Sequence, residues 1–176
     1  IHVSFSARSI KEKQLNFVNE KATSIALKDS TEVYVSTSES RLQKIRINDH
    51  KVISTLDLTK YQVGKIYEIE YFNRQLWIAT NNGLFLASPE LEIESHLNES
   101  TSKISNNNVT RMLYHNGILF LGTFDGLNQI VPSSIRSFNR QNSNIDNDVL
   151  TFTETSDGTL WIGTYAGLYK YDPSRK

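Results

Sequence analysis

The residues whose types could do chemistry are two tryptophans, four histidines, two pairs of closely spaced glutamates and a set of polar and aromatic turn residues. His2, His50, His96 and His115 stand far apart, without the short spacings that gather ligands around a metal. Each lies beside a turn, which reads as surface histidine. Cysteine is absent, so thiolate chemistry and disulfides are excluded. Glu68 and Glu70 lie two apart in one apolar-alternating segment, as do Glu92 and Glu94, so each pair shares one face of a strand. A glycosidase needs its acid and base on opposite sides of a substrate, which side-by-side carboxylates do not supply. There is no Gly-x-Ser-x-Gly elbow and no nucleophile with an adjacent base. No catalytic residue, metal ligand or cofactor site is assigned.

The elements that would position these residues show themselves as a repeat. Leu160-Trp161-Ile162-Gly163-Thr164, followed by Gly167-Leu168, has a counterpart in Leu119-Phe120-Leu121-Gly122-Thr123 with Gly126-Leu127. Leu76-Trp77-Ile78-Ala79-Thr80 with Gly83-Leu84 is a third copy, and Val33-Tyr34-Val35-Ser36-Thr37 a degraded fourth. From Thr37 to Thr80, Thr123 and Thr164 the steps are 43, 43 and 41 residues by difference of their numbers. Such a period marks a repeat architecture.

Each unit reads as strands. Residues 109–115 alternate, Asn116-Gly117 is a two-residue hairpin turn, and 118–123 is a short apolar strand. Phe124-Asp125-Gly126 turns the chain into 127–131, and 134–140 supplies a fourth strand. Asp157-Gly158 fills the hairpin position in the last copy, as a pair tolerating positive φ at both places, and Asn73-Arg74 fills it less ideally in the second. Within 160–164, Trp161 points one way while Leu160 and Ile162 point the other. A sheet apolar on both faces must be sandwiched between neighbours, which is the radial stacking of a β-propeller. The fold expected is all-β, an incomplete ring of about four blades, each a four-stranded antiparallel meander.

The blades are placed at 22–62, 63–106, 107–147 and 148–176, with 1–21 forming the C-terminal half of an earlier one. Residues 2–7 and 15–19 read as its last two strands, while the final blade lacks a fourth. Exposed apolar flanks would follow. The expectation is a fragment that stacks against the remaining blades of a longer parent or against another copy of the chain. Lys plus Arg and Asp plus Glu number 19 each, so no net field draws the chain to nucleic acid or an anionic membrane. No apolar run reaches the roughly 18 residues a bilayer requires, and IHVSFSARSIKEK is not patterned as a signal peptide.

The stretch from Asn147-Asp148-Val149 through Asp157-Gly158, Leu160-Trp161-Ile162-Gly163-Thr164 and Gly167-Leu168 to Tyr171-Asp172-Pro173 resembles the two-component regulator propeller repeat. Residues 107–127 are similar, with Phe120 replacing the tryptophan; 65–89 match loosely and 23–42 in outline. The resemblance implies the periplasmic sensor region of a hybrid two-component histidine kinase of Bacteroidetes type. It further implies recognition of an oligosaccharide and control of transcription, with phosphotransfer elsewhere in the parent. Two other readings stay open: a protein-interaction scaffold, and part of a polysaccharide-active propeller enzyme.

On that scaffold, Trp77 and Trp161 are read as core packing over sugar stacking, from their place in apolar strands. Gly83, Gly126 and Gly167 are read as turn glycines, and Thr80, Thr123 and Thr164 as hydrogen-bonding glue within or between blades. The variable turn residues Asn81, Asn82, Phe124, Asp125 and Tyr165 are the expected ligand contacts, since loops on a rigid frame carry specificity.

Overall fold

The computed structural model describes residues 20–131, 134–146 and 148–172, most of them in strands and tight turns. The first sheet runs β1 (Ala22–Leu27), β2 (Glu32–Thr37), β3 (Arg41–Arg46) and β4 (Lys51–Asp57); the second, β5 (Ile66–Phe72), β6 (Gln75–Thr80), β7 (Gly83–Ala87) and β8 (Ile93–Leu97). The third holds β9 (Val109–His115), β10 (Ile118–Thr123), β11 (Gly126–Val131) and β12 (Ser134–Phe138). The last has β13 (Val149–Glu154), β14 (Leu160–Thr164) and β15 (Gly167–Tyr171). Every sheet is an antiparallel meander in sequence order, and together they form an open run of propeller blades. The strands expected at 2–7 and 15–19 lie outside the described residues. Two short helical turns, absent from the all-strand expectation, sit between blades: a 3-10 turn at Thr59–Tyr61 and α1 at Glu99–Ser102. Asn98 makes α1 possible, its side chain accepting from the Ser100 and Thr101 amides as an N-cap.

Alternation along the second strand of each blade drives the stacking. Leu76 and Ile78 bury themselves against the first sheet, together with Tyr34, Leu42 and Leu58. Trp77 and Ala79 look the other way, toward Val109, Leu119 and Leu121. Phe120, on the opposite face of β10 from Leu119 and Leu121, packs with Val149, Leu160 and Ile162. Three apolar interfaces therefore join four sheets, each formed by faces of opposite parity. The glycine before Thr123 serves the same packing. A Cβ on Gly122 would meet Val149 Cγ1 of the next blade at 2.5 Å. Trp161 is half-buried, as is Trp77, and Lys170 Nζ lies 6.0 Å from the Trp161 ring centroid.

The turns follow the residue chemistry, with one difference. Asn116-Gly117 has both φ values positive (47° and 81°), and so does Asn73-Arg74 (52° and 61°), which makes a two-residue hairpin despite lacking glycine. In Asp157-Gly158 only the glycine is left-handed, at 80°. Asp157 instead accepts from Thr155 Oγ1 at 2.6 Å and from the Thr159 amide at 3.0 Å. The Thr155 hydroxyl and the Thr159 amide hold its carboxyl down at about 2. Those bonds stabilise a longer, right-handed turn closed by glycine, which outcompetes the two-residue form.

At the opposite ends of the same strands each threonine closes its own turn. Thr80 Oγ1 donates to Gly83 O (2.7 Å), Thr123 Oγ1 to Gly126 O (3.0 Å) and Thr164 Oγ1 to Gly167 O (3.2 Å). In the second and third blades the returning chain comes close to that glycine: a Cβ on Gly126, at φ +91°, would lie 2.1 Å from Phe138 O, and one on Gly83 2.3 Å from Leu97 O. Gly117, also left-handed, has nothing within 4 Å of its Cβ position. Gly126→Ala is expected to lower the urea unfolding midpoint strongly, at about 3 kcal/mol, whereas Gly117→Ala costs about 1 kcal/mol from its backbone alone. Equal midpoints for the two variants would contradict this packing.

Candidate functional site

Strands β1, β5, β9 and β13 neighbour one another in turn, so they form the inner edge of the blade stack. Each pairs within its sheet on one side only, which leaves the other edge's amides and carbonyls facing the axis. Side chains of adjacent blades occupy part of that edge. Ser24 Oγ accepts from the Ile69 amide at 3.2 Å, and Glu68 Oε2, at the equivalent place one blade on, accepts from the Met112 amide at 2.5 Å. The next equivalent residue is Arg111, a donor that cannot repeat the contact. There Thr110 Oγ1 lies 2.5 Å from Val149 O instead.

All four inner strands carry a register shift at the same point. The pairing jumps from Ala22 to Ser24, Ile66 to Glu68, Val109 to Arg111 and Val149 to Thr151, which leaves Thr23, Tyr67, Thr110 and Leu150 as extra residues. Such a bulge re-aims the unpaired side chain and increases local twist. Along the inner edge of the first three blades these bulges help form a cavity of about 460 Å³, lined by Thr23, Thr37, Ser38, Lys65, Tyr67 and Arg111 together with Gly64 and Ile66. That volume lies within the usual range for small-ligand sites.

The lining is polar with one aromatic surface. Lys65 Nζ sits 4.5 Å from the Tyr67 ring centroid, and Phe124 meets the same ring edge-on at 6.2 Å. Tyr67 OH donates toward Asn108 Oδ1 at 3.4 Å, and burial pushes its hydroxyl pKa up. Thr23 Oγ1 and Ser36 Oγ share a hydrogen bond of 2.8 Å. Arg111 donates through Nη1 to Thr110 O at 2.8 Å, leaving the rest of its guanidinium fork for other acceptors. Among the described residues neither Lys65 nor Arg111 forms a salt bridge, and no carboxylate lines the cavity.

The turn residues singled out in the sequence divide between scaffold and surface. Asn81 Oδ1 accepts from the Gly64 and Lys65 amides at 3.0 and 2.9 Å, holding the segment that enters β5 against the cavity. Asn82 Nδ2 donates to Tyr61 O at 2.9 Å, and Asp125 Oδ2 accepts from Asn139 Nδ2 at 3.3 Å. Phe124 borders the cavity through Tyr67. Tyr165 is 77% exposed on the last blade, away from the lining residues. Residue-type reasoning did not single out Thr23, Lys65, Tyr67 or Arg111. For Thr23 and Tyr67 the signal available was a polar or amphipathic residue at the second place of an inner strand, where a strict alternation fails; Lys65, just before β5, and Arg111, third in β9, carried no such signal.

Two histidines depart from the surface reading. His96 stacks on Phe85 with centroids 3.9 Å apart, its Nε2 2.5 Å from Asn82 O. His115 Nδ1 lies 2.7 Å from Glu154 Oε2, between the third and last blades. Among the described residues no group of three potential metal ligands converges. A second, smaller cavity of about 270 Å³ lies toward the β5–β6 and β9–β10 hairpins, beside a stack of Trp77, Phe72 and Tyr114 spaced 4.9 and 4.5 Å.

Glu68 is the titratable group most tightly built into the inner edge. Burial pushes its carboxyl above the ordinary range, against the opposing pull of the Met112 amide and of Arg111. With the folded pKa above the unfolded one, the folded state holds the proton more tightly, and its advantage is present in full below the unfolded value. It is lost as pH rises through the folded pKa. Glu68→Gln keeps an acceptor for Met112 and removes the charge. Its stability relative to the native chain should therefore be higher at pH 7 than at pH 3.5, checked by urea melts at both. A relative stability that does not change with pH would contradict the upward shift.

The two component regulator propeller family model matches residues 143–166, which bears out the resemblance of the last repeat copy. A search of curated proteins finds no match. Among solved structures, the chain is similar to the extracellular domain of BT4673 from B. thetaiotaomicron, assigned as a hybrid two component system. The TM-score is 0.71 at 22% identity, over 94% of this chain and 22% of that one. The corresponding domain of BT3049 from the same organism gives 0.73 at 16% identity, over 87% and 22%. The computationally designed Ika4 protein gives 0.64 at 9% identity, over 90% and 94%. These likenesses show the propeller fold, and the chain spans about a fifth of the length of the two extracellular domains.

Proposed function

We propose that this chain is part of the periplasmic sensor region of a two-component histidine kinase of the hybrid type, and that its inner-edge cavity binds an oligosaccharide signal. The observation that carries the reading is a cavity built from three successive blades around a tyrosine set on a bulge, in a chain whose last copy matches the regulator propeller repeat. A sugar presents hydroxyls and an apolar ring face, and the lining offers hydroxyls, a cationic pair and the Tyr67 ring. A ligand held by three blades at once favours one relative tilt of those blades over others. A rigid-body shift of that kind could pass toward the membrane, with phosphotransfer performed elsewhere in the parent. Among the described lining residues no acid and base face each other, which favours binding over turnover.

The flanks of the stack support the rest of the reading. Ile25 and Leu27 of the first blade are 65% and 63% exposed, and Leu168 of the last is 68% exposed. Apolar side chains on sheet faces in this state are suited to further blades of a longer chain or to a second copy. The same flanks are what an interaction scaffold would use, and this is the second reading.

Isothermal titration of the chain with a panel of defined oligosaccharides tests the proposal. At least one should bind, and Tyr67→Ala should weaken it by roughly tenfold, the loss of one aromatic platform. Binding that survives Tyr67→Ala unchanged would place the ligand elsewhere. No binding by any sugar, with a stable protein complex recovered instead, would favour the scaffold.

A further inference from the structure

We infer that the ligand of the inner-edge cavity carries an acidic group, a sugar carboxylate or sulfate, held between Lys65 and Arg111; this rests on the oligosaccharide reading above. The whole chain is balanced at 19 basic and 19 acidic residues, yet the cavity lining contains two cations and no carboxylate. Both cations are without a salt bridge among the described residues, and they approach from different blades. Lys65 stands on the segment entering the second blade and Arg111 on the inner strand of the third. The carboxylate nearest in sequence to this pair is Glu68. Its charge reaches Arg111, but its Oε2 is engaged by the Met112 amide, and burial works against its ionisation. Glu70, the next along β5, is also pushed upward by burial.

Each cation is also set in place. Asn81 holds the Lys65 backbone, with Oδ1 2.9 Å from its amide, and the ammonium lies over the Tyr67 ring at 4.5 Å. Arg111 is anchored by one Nη1 contact to Thr110 O at 2.8 Å, which fixes the direction of the guanidinium and leaves donors for a planar anion. The hydroxyls of Thr23, Thr37 and Ser38 line the same space and suit the remaining oxygens of a sugar. A neutral glycan would use the tyrosine and hydroxyls, and would leave both cations without an ionic partner. An acidic sugar satisfies both.

The test uses the full chain and three probes: a galacturonic acid trisaccharide, a sulfated N-acetylgalactosamine disaccharide and a neutral galactose trisaccharide. One acidic probe should bind more tightly than the neutral one, and its affinity should fall as salt is raised. Arg111→Ala should weaken it by roughly 10- to 100-fold and Lys65→Ala by less, each a larger loss than the same variant causes for the neutral probe. Arg111→Lys should recover part of the loss, since it restores charge without the fork. Which acidic probe wins decides between carboxylate and sulfate. Neutral sugar binding as tightly as either acidic one, unaffected by Arg111→Ala, would overturn the inference and leave the oligosaccharide reading standing. If no sugar binds a chain that melts cooperatively, both fall.

Discussion

Every blade of this protein is a sheet with two apolar faces, and neither face can be left to water without losing the free energy that holds the strands together. Burial of the kind seen at Leu76, Leu84, Leu121 and Ile162, each fully buried, stabilises by about 2 kcal/mol per side chain. A single meander can shelter one face of its strands at most. Stacking is thus a condition of the fold, and it sets the alternating parity of Trp77 and Phe120 against Leu76, Leu119 and Leu160. Gly122 before its threonine, and Gly83 and Gly126 after theirs, meet the same demand, for at these places a neighbouring residue comes too close for a Cβ.

Stacking also creates the site. Inner strands that face an axis have one unpaired edge, and the bulge at the head of each strand turns a side chain out of the alternation at that edge. Three adjacent bulged strands and the turns beside them enclose a polar cavity that no single blade contains. The frame holding it is built from ordinary turn chemistry: Asn81 clasping the entrance to β5, and threonine hydroxyls closing their own turns. Asn128, completely buried, receives the Ser105 amide at 2.9 Å and the Ser137 hydroxyl at 2.7 Å, pinning the loop that enters β9.

The repeat in sequence determined the blades. The recurrence of Leu-Trp-Ile-Gly-Thr with its Gly-Leu specified strand order, hairpin places and a two-faced sheet, because those depend on side-chain parity and on local φ, which neighbouring residues decide. The Asp157-Gly158 turn and the short helical turns between blades escaped for the same reason in reverse. Competing side-chain bonds, from Asp157 in one case and Asn98 in the other, selected among local forms that residue type alone leaves nearly equal. His96 escaped because its partner Phe85 lies on a neighbouring strand.

The cavity was a tertiary decision. Lys65 and Tyr67 come from the second blade and Arg111 from the third, and only the stacking brings Arg111 to their space. The turn residues predicted from sequence were chosen for exposure and variability; in the structure Asn81, Asn82 and Asp125 hold the scaffold, while Phe124 borders the cavity through Tyr67. Parity and turn propensity travel along a chain and can be read there. The convergence of charges from separate strands depends on how sheets are placed in space.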